Sequence, residues 1–283
     1  MDSSHIGASR APLPDTAFVP FGEEHLAGGV ALSAAAGWTH RREDWAMLLR
    51  LSRGVAALQG VHVVGTAFRA DFGAALSTVN MILVDETMRS RGLGRALITS
   101  AIGQEARSLR LVATVSGQPL YEKLGFKSVS QIVCAQGLVK DGGKTPGVRD
   151  ALSEDLPQIL ALESASFGGD RSALVAWLCT TARVVVLERA GQVLGFAACR
   201  RFGKGHVIGP VVAPSAQDGL SLVGHLAEDL RGELVRLDVA ETSGLQPGLT
   251  ALGLEIRYHA PVMERGGVSA RPERLALVSQ ALV

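Results

Sequence analysis

Cysteine is scarce in this chain: its 283 residues include three, Cys134, Cys179 and Cys199. They are odd in number and far apart, which excludes a disulfide framework and the paired spacings of a zinc site. Each reads as a small buried hydrophobe. Excess charge is equally scant. Lys and Arg number 28 against 27 Asp and Glu, a formal charge of +1, and no long run of one sign occurs. That excludes a general attraction to nucleic acid or to an anionic membrane. No apolar run is long enough to span a bilayer. The opening stretch, MDSSHIGASRAPLPDTAF, is polar and broken by proline, without the apolar core of a signal peptide. The resulting expectation is a cytoplasmic protein with no membrane and no nucleic-acid partner. Glycine is plentiful at 33 residues but has no period, so collagen-like and low-complexity architectures are excluded as well.

What is present is a repeated order of elements. The length suggests two domains, at ~100–200 residues each. Residues 1–14 read as a flexible tail. Helical spacing is found in His25–Trp38 and in Arg42–Gly54, where Gly54 suits a C-cap. Strands are expected at Gly54–Gln59 and Val61–Ala70, turning at Gly60, and at Leu76–Val84. A helix then opens with Leu93, Ala96, Leu97 and Ala101 on its apolar face. A strand (Arg110–Val115), a short helix (Pro119–Leu124) closed by Gly125, and a last strand from Lys127 complete a first unit, residues 15–138. Residues 139–147 are polar and turn-rich, a linker. The same order then restarts over residues 148–267, with Ser153 opening a capping-box-like helix start. Residues 268–283 are a C-terminal tail. The pattern is an α+β fold on a mixed sheet, present twice by internal duplication.

The chemistry sits in RSRGLGRAL, Arg89–Leu97, between the apolar run MILV and a helix. Three arginines crowd a helix N-terminus, which is already partly positive. An anion resolves the conflict. Glycines leave backbone N–H groups open to a ligand, the helix end adds unpaired donors, and arginines neutralise phosphate charge. A P-loop lacks its Gly-Lys-Ser/Thr here, and Leu97 stands where a dinucleotide fingerprint needs a small residue. A glycine turn with solvated arginines is the alternative reading of the same residues.

Two blocks in order, MILVDETMRSRGLGRAL and LVATVSGQPLYEKLGF, resemble the GNAT family of acyl-CoA-dependent N-acetyltransferases, whose motifs are Arg/Gln-x-x-Gly-x-Gly/Ala and Tyr-x-x-x-Gly-Phe. The resemblance covers Phe18 to Val139 and extends to the rest by duplication, implying tandem GNAT folds. It implies acetyl-CoA as co-substrate, without a metal, and direct attack by a primary amine in a ternary complex. Backbone groups of Ile82, Leu83 and Val84 would receive the pantetheine arm, with the Ile82 N–H as oxyanion donor. Arg89, Ser90, Arg91, Gly92, Leu93, Gly94 and Arg95 would hold the pyrophosphate. Tyr121 would protonate the leaving thiolate. Where many members carry a carboxylate base, this chain has Thr78. The amine would then lose its proton to a water chain, to a residue of the second half, or before binding. A small-molecule amine is the expected partner, with a monomer or homodimer as the working form. A protein or peptide amine, or a non-catalytic acyl-CoA sensor, are the alternatives.

The second half departs from the motifs. HVIGPVVA is followed by PSAQDGLSL, without arginine or Gly-x-Gly, and Leu249 precedes Gly253 where Tyr121 precedes Gly125. It resembles a degenerate GNAT domain that walls the acceptor side. Asp170 is either an ammonium contact or a helix cap, and Asp238 either a substrate contact or a strand-end residue.

Overall fold

The computed structural model describes residues 16–103, 107–267 and 275–283; the expected tail at 1–14 lies outside them. Contacts divide the chain into two units. One takes in Met1–Arg69 with Met81–Gln104, the other Ala70–Asn80 with Glu105–Val283. Two strands, β3 (His62–Phe72) and β4 (Leu76–Val84), pass from one unit to the other. The halves 15–138 and 148–267 are a division by element order, and contacts follow a different line.

The first unit contains β1 (Thr16–Pro20), α1 (Leu26–Ala35), α2 (Arg42–Leu51), β2 (Arg53–Gln59) and α3 (Leu93–Ile102), with strand order β1-β2-β3-β4. Gly60, at φ +58°, turns β2 into β3. Helix α2 starts where the Asp44 carboxylate accepts from the Arg41 amide (2.9 Å) and guanidinium (3.0 Å). It then buries Trp45, whose indole N–H donates to Ser33 Oγ at 3.2 Å. Trp45 stacks on Phe21, and both meet Phe68 edge-on at 5.7 and 4.9 Å. Gly54 is not a cap. The helix ends at Leu51, and Gly54 lies in β2, where a Cβ would come within 2.6 Å of the Phe68 ring and 2.8 Å of Phe21. The aromatic cluster, not the helix end, requires the glycine.

The second unit continues with β5 (Ser108–Val112), α4 (Gln118–Lys123), β6 (Lys127–Leu138), β7 (Val148–Asp150), α5 (Leu156–Phe167), α6 (Ser172–Thr181), β8 (Arg183–Arg189), β9 (Gln192–Phe202), β10 (Gly205–Val212), α7 (Ala216–Ala227), β11 (Leu234–Ala240), α8 (Gln246–Ala251) and β12 (Glu255–Arg265). The element order of the two halves is the same. Ala190 and Gly191, at φ +51° and +76°, make the tight turn between β8 and β9. Ser153 does not cap its helix. The Asp155 carboxylate takes the Leu152 amide at 2.7 Å and also ion-pairs Arg149, a stronger acceptor than a hydroxyl.

Strand order in this unit is β4-β5-β12-β6-β11-β10-β9-β8-β7. The closing strands of the halves are therefore exchanged. β12, from the second half, pairs with β5 of the first (Val262↔Val112), and β6, from the first, pairs with β11 of the second (Ala135↔Leu237). β6 and β12 also pair with each other. One buried ion pair spans the exchanged strands: Arg110 on β5 meets Glu264 on β12 at 2.6 Å. A second joins α5 to the start of α6, Glu163 meeting Arg171 at 3.1 Å. The Arg171 guanidinium lies over Phe167 at 4.2 Å and Phe72 at 5.3 Å.

The parallel pairing of β10 with β11 stops after Val207↔Arg236. Beyond it the chain fills the gap itself. Ala276 bridges Val211 on one side and Val239 on the other. The Val211 amide donates to Ala276 O (3.1 Å), the Leu277 amide to Asp238 O (2.8 Å) and the Ala240 amide to Leu275 O (3.1 Å). Residues 268–283 were expected as a tail; Leu275–Ser279 are instead buried, Ala276 bridges two strands, and a short 3-10 turn, Gln280–Leu282, ends the chain described. Gly209 makes room for the buried segment, since a Cβ there would fall 1.9 Å from Leu277 O. Gly209→Ala is expected to expel the segment and to cost more than ~2 kcal/mol, read as a lower denaturation midpoint.

Candidate active site

In the first unit the site begins with a kink in β4. Met81 has φ +48°, a conformation that costs a non-glycine residue ~1–3 kcal/mol. It is held there by Thr66, whose hydroxyl donates to Met81 O at 2.7 Å. Ile82 and Val84 then rest on the core of Ala57, Val64, Met88, Leu93 and Leu97, and Leu83 is buried. Gly65 lets β3 approach this part: a Cβ would sit 2.7 Å from Leu97 and 3.1 Å from Leu83 O. After the kink, the Asp85 amide donates to Val64 O at 2.9 Å. The Asp85 carboxyl, accepting from the Thr87 hydroxyl and amide, is held below the usual carboxylate range.

Two left-handed residues precede α3, Ser90 at φ +63° and Gly92 at φ +87°. Gly92 is the N-cap and has no side chain to cap with, and the first turn holds no acidic residue. Ala96 is the residue whose amide reaches back to Gly92 O (3.1 Å), so the N–H groups of Leu93, Gly94 and Arg95 point outward from the helix end. Arg89 lies 3.5 Å from Glu86 in an exposed pair. Arg91 and Arg95 are exposed and have no ion-pair partner among the described residues. Left-handed turn, uncapped donors and arginines make an arrangement suited to a phosphate anion.

In the second unit, Tyr121 sits on α4, with Pro119 in the first turn. Gly125, at φ +86°, ends that helix and lets the Phe126 amide return to Tyr121 O at 3.0 Å. The Tyr121 ring meets Phe126 edge-on at 6.2 Å, is only 5% exposed, and burial pushes its hydroxyl up to about 12. Its other neighbour is the backbone of Gly117, where a Cβ would sit 2.9 Å from Cε2 and 3.1 Å from the hydroxyl oxygen. Thr78 is fully buried, and its hydroxyl donates to Ala281 O at 3.4 Å.

Asp170 is exposed and accepts from the Ser172 amide at 2.9 Å, which holds its carboxyl below the usual range. That is the helix-capping arrangement. Asp238 is 2% exposed, so it does not meet solvent as a strand-end residue. It ion-pairs Arg236 at 2.9 Å and accepts from Gln280 Nε2 at 2.7 Å. Arg236 and Gln280 both donate to the Tyr258 hydroxyl, at 2.9 and 3.0 Å. Burial pushes the Cys134 thiol beside them up to about 11, with Asp238 adding to the effect. Gln280 belongs to the inserted segment, which nothing local in the sequence ties to Asp238. Among the described residues no hydrogen bond or ion pair joins Thr78, Tyr121, Asp170 and Asp238 to one another. No cluster of three His, Cys, Asp or Glu side chains suited to a metal occurs among the described residues, and no helix there is long and apolar enough to cross a membrane.

Gly117→Ala is expected to displace the Tyr121 ring and to cost ~1–3 kcal/mol by overpacking, read as a lower denaturation midpoint with the fold retained by circular dichroism. Gly92→Val, forced into φ > 0, is expected to weaken anion binding at the α3 N-terminus, read by calorimetry.

Comparison with known proteins bears on both halves. Two families, each described as an acetyltransferase (GNAT) domain, match residues 52–128 and 159–277. An uncharacterized N-acetyltransferase of Bacillus subtilis (strain 168), YitH, is 28% identical over 272 residues, covering 92% of this chain and 96% of the relative. The crystal structure of a candidate acetyltransferase from Pyrococcus horikoshii superposes with a TM-score of 0.81 at 18% identity, covering 99% of this chain and all of that one. A tandem GNAT protein from the clavulanic acid biosynthesis pathway superposes with a TM-score of 0.63 at 18% identity, over 90% of this chain and 100% of that one. Matches to the same domain type in both halves, and an overlay of the full chain on solved acetyltransferase folds, lead to one conclusion: the chain belongs to the GNAT acetyltransferases and carries two GNAT domains in tandem.

Proposed function

We propose that this acetyltransferase moves an acetyl group from acetyl-CoA to the primary amine of a small molecule, by direct attack in a ternary complex in the cytoplasm. One observation carries the reading: the uncapped N-terminus of α3, preceded by left-handed Ser90 and Gly92 and flanked by Arg89, Arg91 and Arg95. Such donors and charges fit a pyrophosphate. Acetyl-CoA supplies the acetyl group activated as a thioester. Ile82, turned by the Met81 kink, offers its N–H to the oxygen that gains charge, and Leu83 and Val84 offer backbone groups to the pantetheine arm. As the carbon–nitrogen bond forms, the carbon–sulfur bond breaks and the sulfur leaves with the electron pair. Tyr121 gives that sulfur a proton, and the acetylated nitrogen loses its extra proton to water. Thr78, buried and without a carboxylate, does not serve as base, so the amine enters neutral.

The second half takes no part in transfer. Its counterpart gap between β10 and β11 holds residues 275–277, and its helix α7 begins with Ser215 capping the Asp218 amide at 3.1 Å. A donor taken by its own cap is not offered to a phosphate. Asp170 and Asp238 accordingly serve structure, with the second half walling the acceptor side.

The test is release of CoA from acetyl-CoA with a panel of primary amines. Tyr121→Phe is expected to lower kcat by ~10²–10⁴-fold with little change in acetyl-CoA affinity. Gly92→Asp is expected to abolish that affinity, and titration calorimetry to give one acetyl-CoA per chain. Full activity of Tyr121→Phe removes the acid role, and binding without turnover of any amine turns the protein into an acyl-CoA-binding module. Because burial raises Tyr121, it stays protonated at working pH. The rate is therefore expected to rise with pH as the amine loses its proton, and to show no fall from Tyr121 between about pH 6 and about 10.

A further inference from the structure

Asn80 is the anomalous residue of β4. It is only 5% exposed, and both polar atoms of its amide are buried without a hydrogen-bond partner among the described residues. A buried amide left unpaired is less stable than an apolar side chain of the same size. The polar residues near it in sequence are all engaged: Ser77 donates to Asp71 at 2.6 Å, and Thr78 to Ala281 O. Asn80 is thus a donor and an acceptor held ready, with no group among the described residues to meet them.

Its place in the strand says what could. β4 pairs with β5 through Leu76, Ser77 and Thr78, the last opposite Arg110. Asn80 comes two residues later, on the face of Thr78 by strand alternation, and two residues before Ile82. The second half supplies a control. Past its last parallel pair, β10 continues as Ile208, Gly209, Pro210, Val211 and Val212, with no polar side chain, and there the chain inserts its own residues 275–277. Where the chain fills the gap, the strand is apolar. Where an unpaired amide stands, no strand among the described residues pairs with Val79 or Asn80 on the β5 side.

We infer that Asn80 binds the acceptor, its Oδ1 accepting from the attacking amine N–H and its Nδ2 donating to an oxygen borne near that nitrogen. This rests on the acetyltransferase reading above and narrows its acceptor class to amines with a vicinal oxygen, such as 1,2-amino alcohols and α-amino carbonyl compounds. A plain alkylamine satisfies the acceptor half of the amide and leaves the donor buried and unpaired, which is how a hydrogen-bonding site rejects an analogue lacking the group. A neutral amide also suits a neutral amine: it orients the N–H without holding the nitrogen as ammonium, which a carboxylate would do.

The experiment compares 2-aminoethanol with propylamine, and glycinamide with butylamine, in wild type and in Asn80→Leu. Wild type is expected to favour the oxygen-bearing member of each pair by at least about tenfold in kcat/KM. Asn80→Leu is expected to reduce that preference to about one and to raise KM for the amine, with KM for acetyl-CoA and the far-ultraviolet circular dichroism unchanged. Equal use of both members by wild type, or the same preference in Asn80→Leu, overturns the assignment while leaving the acetyltransferase reading intact. Failure of wild type to acetylate any of the four amines, or any other primary amine tried beside them, is a failure of the reading itself and takes this inference with it.

Discussion

The backbone pairing of β6 with β12 is the contact on which the remaining structure depends. Each is the last strand of its half, and each would be an unpaired edge if it stayed at home. Exchanged, both are bonded on two sides, β12 by β5 and β6, β6 by β12 and β11. This is why the contact-based division of the chain runs through β3 and β4 and not through the linker at 139–147. The ion pair of Arg110 and Glu264 spans β5 and β12 inside the exchange. Charges so buried repay their desolvation only with close geometry, and loss of one partner strands the other. The pair thus penalises a wrong partner for β12 more than it stabilises the right one.

The sequence made plain whatever is local. The order of strands and helices, the turn at Gly60 and the glycine turn before Leu93 depend on residues a few positions apart, and the element pattern was legible in both halves. Features set by tertiary packing were not. Gly54 looked like a helix cap because it follows an apolar helix, but Phe21 and Phe68 decide its role. Ser153 looked like a cap because hydroxyls often are, but Asp155 and Arg149 occupy the position. The exchange of β6 and β12 joins residues more than a hundred positions apart and leaves no periodic trace.

The candidate site shows the same split. Arg89–Arg95 and Tyr121 were legible as motifs, because each lies in a short block of fixed spacing, Arg-x-x-Gly-x-Gly and Tyr-x-x-x-Gly-Phe. The kink at Met81 was not, since methionine carries no preference for positive φ and is held there by Thr66 on another strand. Asn80 is one polar residue in an apolar strand, and what sets it apart is tertiary: its amide is buried with no hydrogen-bond partner among the described residues. Asp238 reads from sequence as a substrate contact or a strand-end residue, yet its surroundings depend on Gln280, from a segment that reads as a tail.

That segment has a consequence for how the two halves respond to their surroundings. A protein that binds a ligand in its folded state gains stability as the ligand concentration rises. Residues 275–277 are joined to the chain, so the strand they complete between β10 and β11 is present at a fixed effective concentration whatever the cell supplies. The second half therefore completes this part of its sheet from its own chain, and the contact between β10 and β11 forms as part of folding without any added molecule.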